Sequence, residues 1–134
     1  MKKAFTLVEL LVALSIMALI MGASLTAFES TKKSARDGRR KADLESLRSA
    51  LEIYRSDLGT YPNAINLLST GNYISAIPVD PTGASYSYNP VCTTNCLRYY
   101  LCSTLEIQPN PPPDVSNCSV TCGTNGCKYI TANP

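Results

Sequence analysis

Residues 5–28 read FTLVELLVALSIMALIMGASLTAF, a run of 24 residues in which Glu9 is the only charge. As an α-helix it would be about 36 Å long, against a bilayer hydrocarbon core of about 30 Å. Leu, Ile, Met, Ala and Val favour helix, and no proline interrupts them. A membrane-spanning helix is therefore the first expectation. A carboxylate inside such a helix costs on the order of 2.5–3.5 kcal/mol at mid-bilayer, so Glu9 calls for a partner, a proton or a place near the interface. The competing reading is a cleavable secretory signal. The run is longer than the roughly 7–15 apolar residues of such signals, and it carries Glu9.

Residues 29–58 continue without proline and hold most of the charge. Leu44, Leu47, Leu51, Tyr54 and Leu58 recur at alternating spacings of 3 and 4, a helical stripe. Arg48 and Glu52 stand at an ion-pair spacing, and Gly38 marks a point where the helix could kink. A helix over 5–58 would be about 80 Å long. A compact globule has no use for such a helix, whereas a filament core of parallel helices does. Gly59 and Pro62 in the GTYP sequence end it, glycine as a left-handed cap and proline as a block.

The formal charge is +2, too small for a dedicated nucleic-acid binder, and the 45% of apolar residues excludes a disordered, charge-dominated chain. There is no His, which removes the commonest general base and metal ligand and excludes a catalytic triad. No glycine-rich phosphate loop appears. The chain is expected not to be an enzyme, with no catalytic residues and no cofactor.

The stretch MKKA-FTLVELLVALSIMALIMGASL resembles the leader and N-terminal helix of type IV pilins and the related pseudopilins. The resemblance implies a leader over 1–4, with prepilin peptidase cutting between Ala4 and Phe5. Phe5 would become the N-methylated N-terminus and Glu9 the assembly carboxylate. Ala4 stands where the family usually has Gly. A buried Glu9 that pairs with the Phe5 amine of a neighbouring subunit would fix the axial stagger between them; pairing with its own N-terminus is the local alternative. Farther on, LGTYP and YISAIPVDPTGASYSY resemble the helix end, loop and first strand of the major pseudopilin of type II secretion. Pseudopilins of that kind often bind calcium in a C-terminal loop with several acidic ligands. Here Glu106 and Asp114 are the only carboxylates after Asp80, so no metal is assigned.

From residue 59 onward lie all nine prolines and all six cysteines, with only five charges. Short β-prone runs at 73–77, 84–89, 97–105 and 128–131 are separated by turn sequences. They predict a small antiparallel sheet packed on the helical stripe. Cys92, Cys96, Cys102, Cys118, Cys122 and Cys127 lack the C-x-x-C spacing and histidines of a zinc site and read as disulfides, which imply an oxidising exterior. Six cysteines allow 15 pairings. Hairpin geometry makes Cys92–Cys96 and Cys122–Cys127 attractive, leaving Cys102–Cys118 to tie down the Pro-rich loop 108–114.

The fold expected is thus α+β and pilin-like: leader 1–4, hydrophobic helix 5–28, amphipathic extension 29–58 and a Cys-rich β domain over 59–134. The function expected is a subunit that polymerises through its N-terminal helix into a type IV pilus or a pilus-like filament. The alternatives are the major pseudopilin of a type II secretion system and a membrane-anchored extracellular binding protein. Expected partners are further copies of the chain, prepilin peptidase, the assembly machinery of the inner membrane, and lipid before assembly. The location expected is the inner membrane as a single-pass precursor, then an extracellular filament. The basic cluster Lys32–Lys41 reads as a solvated face, and as a nucleic-acid patch it lacks interleaved aromatics. By the positive-inside rule it would hold the following domain in the cytoplasm, against the cysteines, which decide the matter.

Overall fold

The computed structural model describes residues 5–118, 122 and 126–133, and within the helix it leaves out the side chains of 23–27. Helix α1 covers Leu7–Leu58 and runs unbroken through Gly38. A short helix α2 (Leu67–Thr70) follows, then strands β1 (Ser87–Cys92), β2 (Cys96–Ser103) and β3 (Tyr129–Ala132). The chain divides into two compact units, 1–34 and 35–134.

In the first unit α1 begins at a capping sequence, Thr6-x-x-Glu9. The Glu9 N–H donates to Thr6 Oγ1 at 3.2 Å, satisfying one of the orphan donors of the first turn, and the Leu10 N–H bonds the Thr6 carbonyl. Leu7, Val8, Leu11, Leu14, Met17 and Ile20 are all exposed, as are the apolar residues between them. Among the described residues, no helix is long and apolar enough to cross a membrane. The span expected over 5–28 takes in 23–27, whose side chains lie outside the described residues, as does the expected leader, 1–4.

The second unit is built on the helical stripe. Leu44, Leu47 and Leu51 are fully buried and cluster with Tyr61, Leu68, Tyr86, Tyr99 and Leu101. The sheet is antiparallel in the order β1-β2-β3, with Tyr88 opposite Leu101 and Leu101 opposite Thr131. In central strand β2 Tyr99, Leu101, Cys102 and Ser103 are buried, while Leu97 and Arg98 near its start are exposed. Pro90, which cannot donate to a ladder, is tolerated because β1 is an edge strand. Gly59 takes φ 76° and its N–H bonds the Arg55 carbonyl, closing α1.

Three expectations are corrected. Residues 73–77 are not a strand: the N–H groups of Tyr73 and Ile74 both bond the Leu68 carbonyl, wrapping the end of α2, and Tyr73 packs on Tyr54 at 5.0 Å. The β-prone residues of YISAI are loop side chains, with Tyr73, Ile74 and Ile77 packed on the core. Leu58, the last residue of the stripe, is 57% exposed because the chain has already turned at Gly59. Glu52 does not pair with Arg48. It accepts the hydroxyls of Tyr61 at 2.9 Å and Tyr99 at 3.2 Å, while Arg48 reaches Glu45. Burial, with the Glu52 charge nearby, pushes the Tyr99 hydroxyl well above its ordinary pKa, so it remains a donor.

Leu101→Ala is expected to cost about 2–5 kcal/mol, and Ile53→Ala on the exposed side of α1 within about 0.5 kcal/mol. Denaturant melts of the detergent-solubilised chain read the difference.

Candidate functional site

The sequence-predicted assembly residues lie at the head of α1. Phe5 is exposed, and Glu9 occupies the third helical position, where its charge complements the positive end of the helix. Among the described residues the Glu9 carboxylate has no ion-pair partner. An exposed apolar surface with one unpaired carboxylate at its leading end is thus the chemistry this unit offers. Ala4 lies outside the described residues.

A second cluster lies in the 35–134 unit. Arg40 is only 2% exposed and holds three carboxylates at once. Its Nε and Nη2 donate to the two oxygens of Asp80 at 2.6 and 3.1 Å, and its Nη1 donates to Asp37 at 2.7 Å and Glu106 at 3.0 Å. Arg36 forks onto Glu106 at 2.6 and 2.5 Å. Asp37 also accepts the backbone N–H groups of Glu106 and Ile107. Asp80 accepts the N–H and hydroxyl of Thr82, fixing the turn over 80–83. One helical turn of α1 thereby holds two loops, the one before β1 and the one after β2. The planar guanidinium makes this geometry available to arginine and not to lysine.

The electrostatics agree with the geometry. Burial pushes the Asp80 carboxyl up, but Arg40 and the Thr82 donors outweigh it and hold its pKa down to about 2. The Arg36 guanidinium, helped by Arg40 and opposed by burial, holds Glu106 at about 2 as well. Tyr86 donates to Asp43 at 2.6 Å, and burial with that neighbour raises its pKa.

The basic cluster is therefore only partly a solvated face. Arg40 is inside, Arg36 is paired with Glu106, and Lys41 stands over the Tyr129 ring at 5.7 Å. The signal for the clamp was present in the spacing: Asp37, Arg40, Leu44, Leu47 and Leu51 continue one face of the helix at intervals of 3 and 4. Asp80 and Glu106 are two of only five charges after residue 58. A charged pair on the apolar face, with lone carboxylates in a charge-poor domain, is the pattern to look for.

The cysteines form Cys92–Cys96, Cys102–Cys118 and Cys122–Cys127 disulfides. The first closes the β1–β2 turn at its register pair. The Sγ atoms of Cys102, Cys118 and Cys127 lie within 4.8 Å of one another, so the other two cross-links meet at one point. Beside this turn a cleft of about 290 Å³ is lined by Tyr54, Thr60, Tyr61, Asn63, Thr94 and Asn95, hydroxyls and amides without a charged group among them.

The donor set does not fit the calcium ion that the resemblance suggests. Calcium takes 6–8 oxygen ligands, several of them carboxylates. After Asp80 the chain has Glu106, which carries two guanidinium groups, and Asp114, which is exposed and accepts the Ser116 N–H.

Comparison with known proteins places the chain. Residues 1–25 match the family model of the prokaryotic N-terminal methylation motif, and residues 27–104 match that of type II secretion system (T2SS), protein G. Among curated proteins, the type II secretion system core protein G of Pseudomonas aeruginosa is 27% identical over 103 residues, 65% of this chain and 72% of the relative. No solved structure matches the chain significantly.

Replacing Arg40 by Met leaves three carboxylates facing one another and is expected to cost about 3–5 kcal/mol in a denaturant melt. Arg40→Lys keeps the charge without the fork and should recover only part of that. Asp80 and Glu106 both titrate below the ordinary carboxylate value of about 4. Their stabilisation is therefore complete above about pH 4–5 and is lost as pH falls through 2. Wild-type stability followed from pH 6 to pH 2 should drop over that window, and the Arg40→Met variant should show a shallower drop.

Proposed function

The chain belongs to the type II secretion system protein G family, and from that premise we propose that it is a pseudopilin, a structural and non-catalytic subunit that polymerises through α1 into a secretion filament. The observation that carries this is the family match over 27–104, which includes the amphipathic half of α1, the clamp residues Asp37, Arg40 and Asp80, and the first two strands. It supports the secretion reading over the type IV pilus reading, because the motif at 1–25 is common to both.

The chemistry proposed at the N-terminus follows from two costs. The apolar side chains of 5–22 are exposed, and lipid or neighbouring helices would cover them with a gain of roughly 25 cal/mol for each Å². Glu9 opposes that burial unless it is paired. Prepilin peptidase cutting between Ala4 and Phe5 would create a positive amine one helical turn from Glu9, available to the Glu9 of an incoming subunit. Alanine at position 4 adds one methyl group to the glycine usual there, and a pocket that requires a small residue accepts it. The precursor would be held in the inner membrane by its helix, with the disulfide-bonded unit on the oxidising side. Contacts with the assembly machinery of that membrane belong to the same proposal.

Glu9→Ala is expected to be processed and retained in the membrane but to lower filament yield at least tenfold, measured by shearing and electron microscopy. Normal filaments from that variant would sink the role given to Glu9. Deletion of the gene should abolish export of the cell's secreted enzymes; long surface fibres at native expression with export intact would favour the type IV pilus instead.

A further inference from the structure

The segment from 104 to the C-terminus has little apolar core of its own. Residues 108–114 read QPNPPPD, and among the described residues its buried apolar side chains are Leu105 and Cys122. Its strand is short: Tyr129–Ala132 pairs with Tyr100–Ser103 of β2, preceded by a bond from the Lys128 N–H to the Ser103 carbonyl at 2.9 Å. A segment of this composition needs an external staple to overcome its chain entropy. In its relatives the resemblance points to calcium for that task.

We propose that in this chain disulfides and the arginine clamp replace the metal, so that the C-terminal segment folds by oxidation and not by ion binding. Three observations converge on this. Both oxygens of Glu106 are occupied by Arg36 and Arg40, so a cation there would meet two guanidinium charges before it met a ligand. Asp114 is one carboxylate on an exposed loop, and the residues after it contain no other. Cys102–Cys118 closes the Pro-rich loop onto the buried end of β2, and Cys127 brings the second cross-link to the same spot, just before β3. The first bond ties the segment to β2 near where it leaves the strand, and the second joins Cys122 to Cys127 just before β3 pairs with β2. The three neighbouring sulfurs are not metal ligands in this state, because each is committed to an S–S bond.

The chemistry requires a partner of defined class, a disulfide-donating oxidant on the far side of the membrane. For each bond two thiols of the chain become one disulfide. The donor's disulfide takes up the two electrons and two protons and leaves as a dithiol. Assembly-competent subunits then accumulate only where such an oxidant is active, whatever the calcium level.

The test uses the full chain in detergent, oxidised, before any assembly, so its result does not depend on the filament reading. Melting temperature is measured with EDTA, with calcium chloride at about 10 mM, and with dithiothreitol. A calcium site of the extracellular class would be well filled at that concentration and would raise the melting temperature by several degrees. The expectation is no shift between EDTA and calcium, and no heat of calcium binding by calorimetry. Reduction should lower the melting temperature by about 10 °C or more and open 108–114 to protease. A double Cys102→Ser, Cys118→Ser variant should reproduce the protease sensitivity without reductant. A calcium-dependent rise, or a reduced wild-type chain as stable and protease-resistant as the oxidised one, overturns the proposal.

Discussion

The buried guanidinium of Arg40 is the interaction on which the 35–134 unit depends. A charge that is 2% exposed is tolerated only when its donors are satisfied, and here Asp37, Asp80 and Glu106 satisfy them from three separate stretches of chain. Apolar packing of Leu44, Leu47 and Leu51 against Tyr99 and Leu101 supplies attraction but little direction. The clamp supplies direction. It ties the loop before β1 and the loop after β2 to one turn of α1, and the sheet between them is placed accordingly.

Below the clamp the tyrosines repeat the same device with weaker groups. Glu52 collects Tyr61 and Tyr99, Asp43 takes Tyr86, and Tyr88 donates to the Pro62 carbonyl at 2.6 Å. Each hydroxyl lets an aromatic ring be buried without leaving a donor unpaired. The result is a small domain with tyrosines in its core, of which Tyr61, Tyr86 and Tyr99 direct their hydroxyls back to α1. In the filament subunit proposed above this divides the labour: one stretch of α1 presents exposed apolar side chains, and the next anchors the 35–134 unit.

Much of this was legible in the residues. The uninterrupted pattern from 5 to 58, closed by Gly59, is a helix because no proline breaks it and its apolar stripe keeps a period near 3.6. The antiparallel sheet followed from short β-prone runs between turn residues. What could not be read came from contacts distant in sequence. Tyr73–Ile77 are β-prone in composition, yet the N–H groups of Tyr73 and Ile74 are drawn to Leu68 at the end of a helix that the local sequence LLST announces poorly. Arg48 and Glu52 have the right spacing for a pair, but the hydroxyls of Tyr61 and Tyr99 arrive from elsewhere and claim Glu52. Lys32–Lys41 reads as a solvated run until Asp80 and Glu106 are brought to it across 40 and 66 residues of chain. The N-terminal candidates are a different case: the partner proposed for Phe5 and Glu9 is a second subunit, and a single chain cannot display it.

The most direct measurement of the central claim, a processed subunit that assembles through its N-terminal helix and is held by cross-links, is the intact mass of protein recovered from sheared filaments. The account predicts a chain beginning at Phe5, heavier by one methyl group and lighter by two hydrogens for each of its three disulfides. A mass that retains residues 1–4, or a recovered chain with free thiols, would contradict it.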